Sequence, residues 1–391
     1  MPTPWNLPNE LAALEASSLR RSLRQIDSPQ GTVVRLEDRE LVNFSSNDYL
    51  GLAGHERVKA AMVDGIGRYG SGSGASRLVC GTLRPHHDLE EQLADFKGTE
   101  AALTFSSGYA VALGTIPALI GSKDVIILDK LCHASLVDAA RLSGATIRVF
   151  PHNHLGKLAK LLESSQGRRT LVATESIFSM DGDAALLKEI VNLKDQHGAW
   201  LLLDEAHAVG VLGPQGRGLA ASLGLEGRID LHMGTLSKAF GLSGGYLAAS
   251  RAVIDWLINR ARSFIYSTAP SPAIAHAAST ALEIIRGAEG DSLRGQLQDR
   301  IRQFLAHNPS GLVHSDILSA ILPVIVGDED MAMRLSTRFR ESGFLIPAIR
   351  YPTVARGTAR LRITMSAAHT AAQVDALAAC LTRHNDKKEE P

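Results

Sequence analysis

From about residue 55 to residue 250 the chain alternates short apolar runs with helical segments. The runs are Ala102–Phe105, Val125–Leu128, Thr146–Phe150, Leu171–Thr174, Trp200–Leu203, Leu231–Met233 and Gly245–Ala248. Most are continuous, as expected for strands covered on both faces. Helical spacing separates most of them, at His86–Phe96, Tyr109–Ile120, His133–Leu142, Leu155–Ser164 and Leu186–His197. This pattern predicts an α/β fold with a mainly parallel, helix-covered sheet. Upstream, Glu10–Arg24 has helical spacing with a basic face at Arg20, Arg21 and Arg24, and Thr32–Leu36 and Leu41–Phe44 read as strands. Pro270 and Pro272 punctuate the next boundary, followed by a helix over Ala273–Arg286. The remainder reads α+β, with strands Ile321–Val326 and Leu361–Thr364, helices Met331–Glu341 and Ala371–Arg383, and a polar, frayed tail at His384–Pro391. The expected organisation is an N-terminal lobe (1–54), a large domain (55–270) and a small C-terminal α+β domain (271–391).

Composition narrows the function classes. Lys plus Arg and Asp plus Glu are equal at 41 each, which gives no support for a nucleic-acid or membrane-surface protein. Cys80, Cys132 and Cys380 lie far apart with no C-x-x-C, so neither a zinc ribbon nor a disulfide framework is expected. They read as buried or inert thiols in a reducing cytosol. The first residues lack a basic stretch followed by an apolar core, and no signal peptide is expected. The best apolar run, Ala110–Ile120, is too short for a membrane span and contains Gly114 and Pro117. The expectation is a soluble, cytoplasmic protein that binds no metal.

In open α/β sheets, ligands sit beyond the carboxyl ends of the strands. After Ala102–Phe105 comes Ser106-Ser-Gly108-Tyr109, a small-residue turn into a helix, where backbone N–H groups can meet a phosphate. After Val125–Leu128 comes His133. After Leu171–Thr174 come Glu175, Ser179, Asp181 and Asp183, which by themselves read as a solvated acidic turn. After Trp200–Leu203 come Asp204-Glu205-Ala206-His207, and after Leu231–Met233 come Gly234, Thr235 and Lys238. Lys238 is the one charged side chain between Met233 and Leu247. Desolvation there would disfavour its ammonium form, and a neutral amine is a nucleophile suited to imine formation with pyridoxal phosphate (PLP). Asp204 is the strongest acid candidate, because a carboxylate at the end of a buried strand is costly without a cationic partner.

Two rival readings fail on their motifs. The Asp204–His207 run is similar to the acidic motif of nucleic-acid-dependent ATPases, but no G-x-x-x-x-G-K-[ST] loop precedes it. Gly70-Ser-Gly72-Ser-Gly74 has dinucleotide-type spacing, yet no strong strand leads into it and the third glycine of the fingerprint is missing.

Thr235-Leu-Ser-Lys238-Ala-Phe-Gly241, Asp204-Glu-Ala-His207, His133-Ala-Ser-Leu136 and Ser179-Met-Asp-Gly-Asp183 together resemble the PLP-dependent α-oxoamine synthases. Asn43–Leu52 and Gly72–Thr82 add to the resemblance, which spans about Arg20 to His369. It implies the aspartate-aminotransferase type of fold (PLP fold type I). It also implies a homodimer with active sites at the interface. The implied reaction is an acyl transfer that condenses L-alanine with pimeloyl-CoA, or with an acyl carrier protein thioester, and releases CO2 and the thiol. By the same resemblance Lys238 holds the cofactor, Asp204 pairs with its pyridine nitrogen, and His207 contacts its phenolic oxygen with Ser179 nearby. His133 stacks on the ring and helps to position substrate. Gly108, Tyr109 and Thr235 hold the phosphate, joined by Ser267 and Thr268 of the neighbouring subunit. Asn47 and Arg362 hold the alanine carboxylate, and Thr353 and Arg21 contact the acyl substrate, with Arg20 as the alternative to Arg21. Glycine C-acetyltransferase and 5-aminolevulinate synthase share these motifs. A non-catalytic PLP-fold partner subunit is a further alternative, against which Lys238 itself argues.

Overall fold

The structure is a computed structural model that describes residues 5–307 and 319–385. Most of the expected polar tail, 386–391, lies outside the described residues. The described residues form two compact units. The larger holds 47–179 and 183–295; the smaller holds 5–46, 180–182, 296–307 and 319–385.

The larger unit is built on a seven-stranded sheet, its strands numbered here along the chain: β1 (Ala101–Phe105), β2 (Val125–Asp129), β3 (Thr146–Phe150), β4 (Thr170–Glu175), β5 (Trp200–Asp204), β6 (Leu231–Thr235) and β7 (Gly245–Ala249). Their order is β1-β7-β6-β5-β4-β2-β3. Only β7 runs against its neighbours; the other pairings are parallel. The continuous apolar runs have the expected cause. In β2, Ile126 and Leu128 enter one apolar layer while Val125 and Ile127 enter the other. In β5, Leu202 faces the first layer and Leu201 and Leu203 the second. Helices Gly108–Leu119, Ala134–Ser143 and Arg251–Arg260 cover the first face, and Leu155–Glu163 and Leu187–Gln196 the second. Each fully buried aliphatic side chain contributes about 1.5–3 kcal/mol.

The smaller unit contains two three-stranded sheets. In one, Ala359–Thr364 lies between Ile321–Gly327 and Ala348–Ile349, antiparallel to both. In the other, Arg39–Asn43 pairs with Val33–Leu36 and with Phe344–Leu345. The N-terminal residues are therefore no separate lobe, and the bounds differ from 1–54, 55–270 and 271–391. The N–H of Thr364 donates to the Phe44 carbonyl at 2.9 Å, and the His369 ring stacks on Phe44 with centroids 4.2 Å apart. Helix Pro272–Arg286 stays with the larger unit, packed along helices Glu56–Tyr69 and Arg84–Lys97.

The helix expected over Glu10–Arg24 is Leu7–Ala16, with no buried residue. It ends at Ser17 and Ser18, the latter at φ 53°. That left-handed conformation breaks the spiral and leaves Arg20, Arg21 and Arg24 beyond it. Helices Glu56–Tyr69, Arg251–Arg260 and Ala288–Ala306 are additional to those expected. Among the described residues no helix is long and apolar enough to cross a membrane.

Candidate active site

The carboxyl ends of β1, β2, β4, β5 and β6 lie along one edge of the sheet, together with the start of β7. Each strand carries its expected group there. Lys238, just past β6, is partly buried, and its Nζ lies 2.9 Å from His207 Nε2. His207, just past β5, is buried, and its Nδ1 lies 2.5 Å from the Tyr49 hydroxyl. That hydroxyl lies 3.2 Å from Asn47 Oδ1. Asn47, Tyr49, His207 and Lys238 thus form one polar chain. The Asn47–Leu52 segment is seated on the Lys238 turn by Gly241, at φ 69°, where a Cβ would fall 2.2 Å from the backbone nitrogen of Ala53.

Asp204 ends β5 and is buried; its Oδ1 accepts from the N–H of Ala206 at 2.9 Å. Its other oxygen accepts no hydrogen bond from a described residue. Burial raises the Asp204 carboxyl above the usual range, and the Lys238 cation opposes this. Beside it in register lies Glu175, the last residue of β4. The expectation of a solvated acidic turn fails for Glu175, which is only 2% exposed. Burial and the neighbouring Asp204 push its carboxyl up to about 8. Glu175 Oε1 accepts from the backbone N–H of His133 at 2.5 Å, and its carboxylate also accepts from the backbone of Ser179. One buried acid therefore holds the loops of two expected site residues.

His133 is the N-cap of helix Ala134–Ser143; its Nδ1 accepts from the Ser135 N–H at 3.2 Å. Loss of water around the ring, with the Lys238 charge, lowers its pKa despite the pull of Asp204. Ser179 is buried, and its loop is anchored one strand further along. There His152 bridges Asp183 at 2.7 Å and Asp129 at 3.1 Å. Burial works against the His152 charge, but the two carboxylates outweigh it and push the ring up to about 10.

At the other end of the edge, helix Gly108–Leu119 begins. Ser107 Oγ accepts from Ala110 N and the Ser107 carbonyl accepts from Val111 N. The N–H groups of Gly108 and Tyr109 donate to no described residue, so both are available to an anion at a helix N-terminus. The β7 edge comes close beneath them: a Cβ on Gly245 would fall 2.6 Å from Gly108 N. The Thr235 hydroxyl donates to the Gly244 carbonyl at 2.8 Å and lies 2.7 Å from Ser237 Oγ. The Tyr109 hydroxyl donates to Asp138 at 2.5 Å. An amine, a buried carboxylate with an open oxygen, and two donor N–H groups in a small-residue cradle make a donor set that fits a phosphorylated, cationic heteroaromatic aldehyde.

Ser267 is half-buried; Thr268 is exposed and its backbone bridges to Ser76. Arg21, Thr353 and Arg362 belong to the smaller unit. There Arg21 donates to Thr353 Oγ1 at 3.2 Å, so the two expected acyl contacts are neighbours, while Arg20 pairs with Glu15. Arg362 is buried on strand Ala359–Thr364 and donates to Thr364 Oγ1 at 2.9 Å. Glu205, inside the Asp204–His207 motif, is no site residue. Lys97 and His232 hold its buried carboxylate down at about 2 against the cost of burial. The three cysteines are free; Cys132 and Cys380 are buried and Cys80 is exposed.

Tyr49 and Glu175 are the two residues of this constellation that the sequence reading passed over. Glu175 carries the signal used for Asp204, an acid closing an apolar strand. Tyr49 lies inside a quoted motif, with nothing in its spacing to mark it.

The family model for aminotransferase class I and II matches residues 39–381. The chain belongs to this family. It is 47% identical over 382 residues to the 8-amino-7-oxononanoate synthase of Janthinobacterium sp. (strain Marseille), covering 96% of both chains. It is 50% identical over 377 residues to that of Anaeromyxobacter dehalogenans, covering 95% of this chain and 93% of the relative. Its fold superposes on a serine palmitoyltransferase from S. paucimobilis with a bound PLP–myriocin aldimine, with a TM-score of 0.90, 30% identity and 95% of both chains covered. It also superposes on the 8-amino-7-oxononanoate synthase of Francisella tularensis, with a TM-score of 0.74, 28% identity, and 88% and 99% covered. The fold expected from the sequence, PLP fold type I with a mostly parallel central sheet, is the fold of these neighbours.

Proposed function

We propose that this chain is a PLP-dependent acyltransferase that condenses L-alanine with a pimeloyl thioester to 8-amino-7-oxononanoate, CO2 and free thiol, a step of biotin biosynthesis. The carrying observation is the site edge itself: Lys238 against His207, with buried Asp204 beside them. The relatives at 47–50% identity support the acyl and amino substrates.

PLP, when bound, supplies an electron sink for the carbanion of the bound amino acid. The rest falls to the chain. The Lys238 amine would hold the cofactor and is placed to take the α-proton of the bound amino acid. Asp204 stabilises a protonated ring nitrogen through its open oxygen. His207 would hold the phenolic oxygen of the cofactor, and His133 would line its ring. The N–H groups of Gly108 and Tyr109 and the Thr235 loop hold the phosphate. Asn47 and Arg362 are assigned to the alanine carboxylate, which a guanidinium can grip with two parallel bonds. Arg21 and Thr353 are assigned to the acyl donor. The same reading makes the enzyme a cytoplasmic homodimer in which Ser267 and Thr268 serve the partner's cofactor. It admits both pimeloyl-CoA and the acyl carrier protein thioester as donors.

Two measurements test this. Borohydride reduction of the cofactor-loaded protein followed by peptide mapping should place the pyridoxyl group on Lys238, and Lys238→Ala should lose the label. Thiol release with alanine or glycine against pimeloyl-, acetyl- and succinyl-CoA should be fastest for alanine with pimeloyl-CoA. Faster turnover of glycine with acetyl-CoA would replace this reading with that of a glycine C-acetyltransferase.

A further inference from the structure

The chain on either side of Ser179 turns back on itself with few bonds of its own. Ile177 bridges to Ala184, the Phe178 N–H donates to the Asp183 carbonyl at 3.0 Å, and the Ala185 N–H donates to the Ser176 carbonyl at 3.0 Å. A hairpin this short is marginal without outside support. His152 and Asn153, just past β3, reach both of its legs. The Asn153 amide donates to the Ala184 carbonyl at 3.0 Å and accepts from the Leu186 N–H at 3.1 Å. The His152 ring meets Phe178 edge-on with centroids 4.3 Å apart, and its Nε2 lies 2.7 Å from Asp183 Oδ2. Its Nδ1 lies 3.1 and 3.2 Å from the two oxygens of Asp129, the last residue of β2. All these residues belong to the larger unit.

The contacts fix the form of the ring. Asp129 already accepts from the N–H groups of Leu131 at 2.8 Å and Asn153 at 3.0 Å. It therefore meets Nδ1 as an acceptor, and Nδ1 carries a proton. A lone pair on Nε2 could accept from the Asn153 amide, 3.2 Å away. It would then face the Asp183 oxygen across 2.7 Å with no proton between them. Placing that proton on Asp183 is the costlier choice, because a free carboxyl is a stronger acid than imidazolium by about two and a half pH units. The charged ring, donating to both sides, satisfies both carboxylates.

We propose that His152 is a positioning residue: as an imidazolium it ties the Ser179 hairpin to the end of β2, the strand that leads to His133, and so sets where Ser179 stands in the site. Glu175 links the same two loops by accepting backbone N–H groups; His152 links them by donating to two carboxylates. Loss of Glu175 releases both loops, whereas loss of His152 releases the hairpin and leaves the His133 N–H on Glu175. Asp129 and Asp183 are the charged groups that bear on the ring, and neither is assigned to cofactor or substrate. The inference rests on the reading that puts Ser179 near the phenolic oxygen of the cofactor.

The test has one part without cofactor and one with it. In the full-length, cofactor-free chain labelled with ¹⁵N-histidine, the His152 signals are assigned by their loss in His152→Gln. The two carboxylates hold the ring charged up to about 10, so both nitrogens should stay in the N–H range at neutral pH. Hydrogen exchange of residues 176–185 should be about tenfold faster in His152→Gln, with the His133 amide unchanged. In the cofactor-loaded protein, the pH midpoint of the visible absorbance reports donors to the phenolic oxygen. Loss of a donor strengthens that oxygen's hold on the proton it shares with the Lys238 nitrogen and raises the midpoint. Ser179→Ala and His152→Gln should each raise it by about half to one pH unit, and the double variant no further than Ser179→Ala alone. A lone-pair nitrogen at neutral pH, unchanged exchange of 176–185, or shifts that add in full overturns the proposal. Asp183→Ala removes only the hairpin end of the clamp; it should speed the same exchange, and decides the matter if His152→Gln does not fold. Ser179→Ala with the wild-type midpoint would instead remove Ser179 from the cofactor and count against the proposed function, with the cofactor-free measurements still deciding the clamp.

Discussion

At the scale of single residues, the carboxyl ends of β4 and β5 show what a sequence discloses and what it hides. Asp204 and Glu175 both close an apolar strand, and they lie side by side in register. The cost of a carboxylate at the end of a buried strand, which singles out Asp204 in the sequence, applies equally to Glu175. The backbone N–H groups that occupy Glu175 come from His133 and Ser179, loops 42 residues before and four after it; no local pattern brings all three together. Truncating Glu175 leaves those N–H groups unpaired in a buried setting, at about 1–3 kcal/mol each. Glu175→Ala should therefore lower the thermal midpoint and reduce kcat, because the His133 loop loses its anchor. Glu175→Gln keeps one acceptor and should fall between the two. Paired thermal melts and steady-state kinetics check this; an Ala variant with wild-type stability and kcat would remove Glu175 from the site.

Elements were legible where burial is two-sided and local. Every strand of the large sheet falls within a residue or two of its apolar run, because helices on both faces demand apolar side chains at consecutive positions. Helix Glu56–Tyr69 was missed because Gly65 and Gly67 interrupt its pattern. The first helix was overextended because leucine spacing continues past the backbone break at Ser18. The close approach of β7 to the start of helix Gly108–Leu119 also lies outside any sequence pattern. A methyl group on Gly245 would press on Gly108 N at 2.6 Å and on Ser107 C at 2.7 Å, both backbone atoms that cannot rotate away. The same methyl on Gly108 would meet Thr235 at an ordinary 3.7 Å. Gly245→Ala should thus cost about 1–3 kcal/mol as overpacking and should weaken phosphate binding more than Gly108→Ala does. Titrating each cofactor-free variant with PLP, followed by absorbance, measures this. Equal affinities would show that the cradle tolerates the shift.

At the scale of the molecule, chain order misled the reading of its units. Residues 5–46 are built into the C-terminal unit through strand pairing with Phe344–Leu345, a contact about 300 residues distant in sequence. The same scale holds the question of Ser267 and Thr268. Thr268 is exposed on the single chain and tied by its backbone to Ser76, which suits a group that serves a neighbour. A two-fold dimer would place each chain's pair in the other's site. A Lys238→Ala chain still offers Thr268, and a chain inactivated at Thr268 still offers Lys238. In a heterodimer of the two, one site receives both intact groups and the other receives neither. Mixing equal amounts and allowing free exchange makes about half of the dimers mixed, so activity should recover to about a quarter of wild type. Tagging the two chains differently isolates the heterodimer and checks its fraction. Recovery in that fraction requires a site completed by two subunits. A purified heterodimer with no activity would place the whole site within one chain, with Thr268 serving the Lys238 of its own chain.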